Sequence, residues 1–191
     1  MTVSIDSIES PLRVDFVSSE MSRLHGRLGM TLAPGKRDPH ALTADWDRDL
    51  RTDLHRLRDE YRTDLLVSML QPHELDRLGI PHLFLEARAA GLEVESFPVF
   101  DGGTPASMDR TINLVMLILA RVEAGQTVVI HCRGGLGRTG TLTACCLAAH
   151  GAATAEAIAA VRQARSPRAI EPGQEGFVAA FKTAWGNRAG S

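Results

Sequence analysis

Thr127-Val128-Val129-Ile130-His131-Cys132-Arg133-Gly134-Gly135-Leu136-Gly137-Arg138-Thr139-Gly140 is the stretch on which the fold turns. Thr127–His131 is a short apolar run rich in β-branched residues, the pattern of a strand buried on both faces. It runs directly into a glycine-rich turn, and a helix is predicted over Arg138–His150. Glycines permit positive φ and close approach of backbone to a ligand. Successive N–H groups in such a turn form an anion-binding nest, and the helix N-terminus adds unpaired donors and partial positive charge. A thiol at Cys132 is biased toward its thiolate by that surrounding. Thr139 is placed to donate its hydroxyl to the sulfur, and Arg138 offers a planar fork suited to two phosphoryl oxygens. Nucleophile, donors and fork in one turn suit phosphoryl transfer through a phosphocysteine.

Two nucleotide readings of the same residues fail. Gly135-Leu136-Gly137-Arg138-Thr139-Gly140 matches G-x-G-x-x-G, but a dinucleotide fold needs a second strand ending in an acid about 20 residues on. Glu156 has that spacing, yet it sits in Ala152–Val161, an alanine-rich helical stretch. No lysine precedes the threonine as a phosphate-binding Walker loop requires.

Outward from the loop, strands and helices alternate. Strands are predicted at Leu12–Val17, Gly26–Leu32, Thr63–Leu70 and Leu92–Val99, with Lys36–His40 as loop. Helices are predicted from Thr43, as N-cap, to Tyr61 through the spacing of Trp46, Leu50, Leu54 and Leu57, then at Pro72–Leu78 and Pro81–Ala90. Further helices cover Thr104–Ala124, with Ile112, Val115, Met116, Leu119 and Val122 as the core face, and Thr154–Arg165 and Gln174–Trp185. The expected architecture is a single α/β domain with a central, largely parallel four- to five-stranded sheet flanked by helices. Residues 1–22 are set apart as an N-terminal extension, 23–186 as the domain and 187–191 as a tail. Ligands of such folds lie at the carboxyl ends of the strands, where the His131–Gly140 loop is.

Composition excludes several classes. The 191 residues are 44% hydrophobic and 23% charged, with 21 Lys+Arg against 23 Asp+Glu and a net charge of -2. That is ordinary globular composition without the basic excess of a nucleic-acid binder. The longest apolar stretch, Leu114–Ala120, has seven residues, short of the ~20 that cross a bilayer. The start shows no signal-peptide pattern, so a cytoplasmic protein is expected. Three cysteines, two of them adjacent (Cys145, Cys146), suggest no disulfide framework. The other histidines show no ligand spacing with Cys or acids, so neither metal nor cofactor is expected.

The loop resembles the H-C-x5-R-[ST] signature of the cysteine-dependent protein tyrosine and dual-specificity phosphatases. Phe100-Asp101-Gly102-Gly103-Thr104-Pro105 is similar to the D-G-G-T-P loop of the kinase-associated phosphatase (cyclin-dependent kinase inhibitor 3) group. Weaker likeness runs over about Gly26 to Lys182. The resemblance implies a three-layer α/β/α phosphatase fold without metal. Cys132 would be the nucleophile, and Arg138 with the amides of Gly134, Gly135, Leu136 and Gly137 would hold the phosphoryl oxygens. Asp101 would be the general acid. Read from its residues alone, Asp101 either sits on a lid hinged at Gly102-Gly103 or simply caps a turn. Asp109 is the reserve acid.

The resemblance also makes His131 an organiser of the loop and matches Gln174 to a water-positioning glutamine. Arg133 reads as positive charge at the rim or as a solvated loop arginine. The implied substrate is a protein carrying phosphotyrosine, with phosphoserine or phosphothreonine in addition, and phosphate, sulfate or vanadate should bind at the loop. The alternatives are a phosphatase of an inositol phosphate or phosphoinositide, and a phosphoprotein-binding module without turnover.

Overall fold

The computed structural model describes residues 4–22, 24–39, 41 and 44–188. Five strands form the main sheet: β2 (Asp15–Phe16), β3 (Arg27–Thr31), β6 (Leu65–Ser68), β7 (Glu93–Ser96) and β8 (Thr127–His131). Their order is β2-β3-β8-β6-β7, with β2 antiparallel at the edge and the other four parallel. The central strand β8 pairs over its whole length with β3, from Arg27↔Thr127 to Thr31↔His131, and with β6 from Leu65↔Val128 to Ser68↔His131. Alternate side chains serve opposite faces, as the pleat requires. Leu65, Val67, Val128 and Ile130 enter one core, while Leu66 and Val129 enter the other.

The first core is closed by α5 (Met108–Glu123), α6 (Gly137–Ala149), α7 (Thr154–Ala164) and α8 (Glu175–Asn187), and the second by α2 (Leu50–Asp59), α3 (Pro72–Arg77) and α4 (Leu83–Ala89). The result is three layers, α/β/α, as expected. A short α1 (Ser19–Ser22) precedes β3. A small second sheet, ordered β1-β5-β4, joins β1 (Ser4–Ile5), β4 (Arg37–Asp38) and β5 (Asp45–Asp47). The stretch marked off as residues 1–22 therefore supplies a strand to each sheet.

Three sequence expectations need correction. Arg37–Asp38, read within a loop, is a strand antiparallel to β5. The helix expected from Thr43 begins at Leu50, because Asp45–Asp47 pairs with strands on both sides and Asp49 becomes the cap, its side chain accepting from the Thr52 amide at 2.8 Å. Thr43 and His40 lie outside the described residues. In α5 the buried stripe is Thr111, Leu114, Val115, Ile118 and Val122, while Met116 is 47% exposed. Residues 114–120 are apolar all round, so periodicity alone could not fix which face turns inward.

Candidate active site

The site lies where the segments following β6, β7 and β8 converge. His131 closes β8, and Cys132 follows it, buried at 3% exposure. The chain then curves through Gly135 at φ 67°, where a Cβ would stand 2.2 Å from the Thr31 carbonyl oxygen. Only glycine fits there. At Gly137, the start of α6, a Cβ would press on Glu171 Oε1 at 2.9 Å and Gln174 Oε1 at 3.0 Å.

The loop carbonyls are bound from outside. Arg133 O accepts from the Ala33 amide, Leu136 O from the Gly140 and Ile170 amides, and Gly134 O and Gly135 O from Arg165. The loop peptides are trans, so each N–H points opposite the carbonyl before it. The amides of Gly134, Gly135, Leu136 and Gly137 therefore point to the side opposite the bound carbonyls, and among the described residues none of them donates to a backbone carbonyl outside its own helix.

Arg138, at 2% exposure, crosses beneath this cradle. Its Nη1 donates to Glu74 Oε2 at 2.6 Å and to the Val99 and Met69 carbonyls at 2.8 and 3.3 Å. Nη2 donates to Glu74 Oε1 at 2.8 Å and to Asp101 Oδ1 at 2.7 Å. Nε is buried without an acceptor. Glu74 also accepts the Gln71 amide at 2.9 Å, so one carboxylate both starts α3 and orients Arg138. Burial, the largest influence, opposes its charge, but the Arg138 bonds and charge together with the Gln71 amide outweigh it and hold the carboxyl below its ordinary value.

Asp101 stands over the arginine with its side chain 58% exposed, its second oxygen 3.8 Å from Arg133 Nη1. The Arg133 fork is turned mainly to Asp38, with Nε and Nη2 at 3.1 and 2.7 Å from Oδ2. Burial raises the Asp38 carboxyl, yet the bonds and charge of Arg133 lower it further, leaving it below its ordinary value. Lys36, 5% exposed, lies 3.6 Å from Asp38 and 4.5 Å over the Trp46 ring. Burial depresses the Lys36 amine against the pull of Asp38. Both Arg138 and Lys36 are within electrostatic reach of Cys132.

Thr139 is buried with its hydroxyl unpartnered, so the hydrogen bond to the Cys132 sulfur expected from the sequence is not formed in this structure. His131 is wholly buried, both ring nitrogens lack partners, and desolvation lowers it to about 4. Gln174, fully buried, donates to the Gly103 carbonyl at 2.8 Å and accepts the Glu171 amide at 2.9 Å, tying the Asp101 loop to the rim of the cradle. Asp109 is exposed on the first turn of α5, outside this constellation. Burial raises the thiols of Cys145 and Cys146 well above the ordinary range. Glu156 sits in α7, so the dinucleotide reading lacks its acid-bearing strand. Sequence reasoning missed Glu74, Asp38, Lys36 and Arg165. Glu74 carries a visible signal only as the acid three residues after a helix N-cap, which accounts for its capping and not for its ion pair.

A doubly covered, largely parallel sheet with a cysteine-to-arginine glycine loop at the end of its central strand is the layout of a cysteine-dependent phosphatase of the tyrosine and dual-specificity class. Residues 50–152 match the family described as "Polymorphic toxin system, DSP-PTPase phosphatase", and the chain belongs to that family. Cyclin-dependent kinase inhibitor 3 of Rattus norvegicus is 24% identical over 168 residues, 87% of this chain and 76% of that one. The human dual specificity protein phosphatase CDC14C is 36% identical over 97 residues, half of this chain and 21% of that protein. A tyrosine phosphatase relative in Invertebrate iridescent virus 3 is matched over 23% of its length. Among solved structures, kinase associated phosphatase with its catalytic-site cysteine changed to serine superposes with a TM-score of 0.84 at 21% identity, over 93% of this chain and 98% of that one. PTPMT1 superposes at 0.71 and 21% identity, over 93% and 99%. Among the described residues no helix is long and apolar enough to cross a membrane.

Proposed function

We propose that this protein hydrolyses phosphomonoesters on proteins, phosphotyrosine and with it phosphoserine or phosphothreonine, through a phosphocysteine at Cys132. The observation that carries this reading is Arg138 Nε, a buried donor without an acceptor within electrostatic reach of a buried cysteine, beside a glycine turn whose carbonyls are bound from the other side. A buried donor without a partner is rare, and together with the loop amides it matches the equatorial oxygens of a phosphoryl group.

The Cys132 sulfur attacks phosphorus, the ester P–O bond breaks, and Asp101 gives its proton to the departing oxygen. Asp101 then takes a proton from water, the water oxygen attacks phosphorus, and the S–P bond breaks to release phosphate and the thiolate. Thr139 donates to the sulfur as it leaves. Gln174 holds the Asp101 loop at Gly103 during both steps, beside the place from which water would enter. Arg133 and Lys36 add positive charge at the rim, moderated by Asp38.

A thiolate nucleophile works only while reduced, so the place of action is a reducing compartment, in the first instance cytoplasm. The family description ties such phosphatases to polymorphic toxin systems, which makes phosphoproteins of a target cell natural substrates. Hydrolysis of p-nitrophenyl phosphate that orthovanadate blocks and Cys132→Ser abolishes is the expected result; full activity in Cys132→Ser refutes the mechanism. A panel of phosphopeptides, phosphoinositides and inositol phosphates tests the substrate class. Higher kcat/KM on phosphopeptides supports the protein reading, and preference for an inositol phosphate overturns it.

A further inference from the structure

The loop's inward amides depend on a residue well outside it. Arg165 caps the C-terminus of α7, and all three of its guanidinium nitrogens are engaged. Nε donates to Gly135 O at 3.0 Å, Nη2 to Gly134 O at 3.2 Å, and Nη1 to Asp15 Oδ2 at 2.5 Å. Asp15 belongs to β2, is nearly buried at 7% exposure, and takes Arg13 Nε on its other oxygen.

We propose that Arg165, oriented by Asp15, is a positioning residue that sets the peptide orientation of the phosphate loop and thereby its affinity for a phosphoryl dianion. The proposal rests on the phosphatase reading above. Gly134-Gly135 is the part of the loop least constrained by its own side chains. A peptide that flipped there would turn a carbonyl oxygen toward the anion and an amide away, converting attraction into repulsion. On one flank the Ala33 amide reaches Arg133 O only at 3.4 Å, and on the other Leu136 O is held at 2.9 Å by the Gly140 amide of α6, so the two carbonyls between depend on Arg165. Arg165 grips both successive carbonyls with one rigid fork, which a lysine cannot span. The Asp15 carboxylate fixes the third corner of that fork. An edge strand at the N-terminal end of the chain thus reaches the anion cradle through two side chains.

The test compares wild type with Arg165→Met, Arg165→Lys and Asp15→Asn. It reads inorganic phosphate binding by calorimetry, KM and kcat on p-nitrophenyl phosphate, and the melting temperature. Arg165→Met is expected to weaken phosphate binding by about tenfold to a hundredfold, the scale of losing or misplacing oxyanion donors. KM should rise in step, Arg165→Lys should recover part of the loss, and Asp15→Asn should show a smaller loss in the same direction. A folded Arg165→Met with wild-type phosphate affinity overturns the proposal. Should Arg165→Met fail to fold, unchanged affinity in both Arg165→Lys and Asp15→Asn overturns it equally. Wild type that binds phosphate but hydrolyses no phosphomonoester refutes the catalytic reading, while calorimetry alone still decides the role of Arg165. Wild type that binds no phosphate refutes both.

Discussion

Among the described residues two arginines, Arg48 and Arg138, are almost fully buried against a carboxylate, and they spend their hydrogens differently. Arg48 meets Asp53 with Nε and Nη2 at 2.8 Å each, and its Nη1 donates to the Ser10 and Asp6 carbonyls at 2.8 and 3.4 Å. Asp53 in turn accepts the Gly35 amide at 2.9 Å. Every donor group there has an internal partner, and the pair fastens the N-terminal segment to α2 and to the turn after β3. Arg138 is equally deep, but its Nε has no acceptor and one Nη2 bond goes to a carboxylate on an exposed loop. Burial of an arginine therefore does not distinguish a brace from a binding site; the accounting of its donors does.

The largest expected effect separates the two. Arg138→Lys should lower kcat/KM by on the order of a thousandfold, since a lysine offers no parallel fork. Arg48→Met should instead cost about 3–5 kcal/mol of stability by leaving the buried Asp53 without its guanidinium partner. The folded fraction of Arg48→Met should keep kcat/KM within about threefold, the range of an uninvolved site. Denaturant melts beside initial rates read both, and a large loss of kcat/KM in folded Arg48→Met would break the distinction.

Acid should strip stability from the catalytic end. His131 is held neutral in the fold at about 4 against an ordinary 6.5, so acidification protonates the unfolded chain first. Stability should fall as pH drops from 6.5 toward 4 and level off below, by about 3 kcal/mol from this group. Glu74, whose carboxyl is lowered in the fold, adds loss in the same direction at lower pH. Urea midpoints across that range test it, and His131→Gln should flatten the slope; an unchanged slope in that variant excludes His131 as its source.

Asp101→Asn should reduce turnover of alkyl phosphates by about a hundredfold, a usual contribution of general-acid catalysis. Turnover of p-nitrophenyl phosphate, whose leaving group needs no proton, should suffer less. The same change should tighten binding of inorganic phosphate, because it removes a charge now lying on Arg138. Equal losses on both substrates would count against the acid role. The smallest change is expected for Glu74→Gln, which keeps the shape of the Arg138 contact without its charge. A drop in kcat/KM of about tenfold with a modest fall in melting temperature would place Glu74 between brace and catalyst.

Most of the architecture was legible because its signals are local. β8, the glycine turn and α6 follow one another in sequence, and the apolar runs at Leu65–Ser68 and Thr127–His131 need no partner to be read as strands. What escaped was set by distant pairing. Asp45-Trp46-Asp47 continues a helical spacing in sequence, and only its ladders with β1 and β4 make it a strand. Glu74 lies 64 residues from Arg138, and the pairing of β6 with β8 is what brings them together. Arg165 and Asp15 are 150 residues apart and met only once α7 and β2 had been placed. Arg133 reads from the sequence as rim charge or as a solvated loop arginine, and its commitment to Asp38 depends on β4, a strand no local pattern announces.

The contact between Asp101 and Arg138 has a consequence for selectivity. If substrate binds at Arg138 as proposed, it must evict a resident carboxylate before it can occupy the guanidinium, so a single negative charge gains little by the exchange. Chloride, bicarbonate and the diester linkages of nucleic acid strands each bring only one. A phosphate monoester brings nearly two at neutral pH, and its electrostatic advantage over the incumbent is correspondingly greater. On the function proposed above, the resting site thus sets a threshold of valence that favours a phosphate monoester over a milieu crowded with weaker anions.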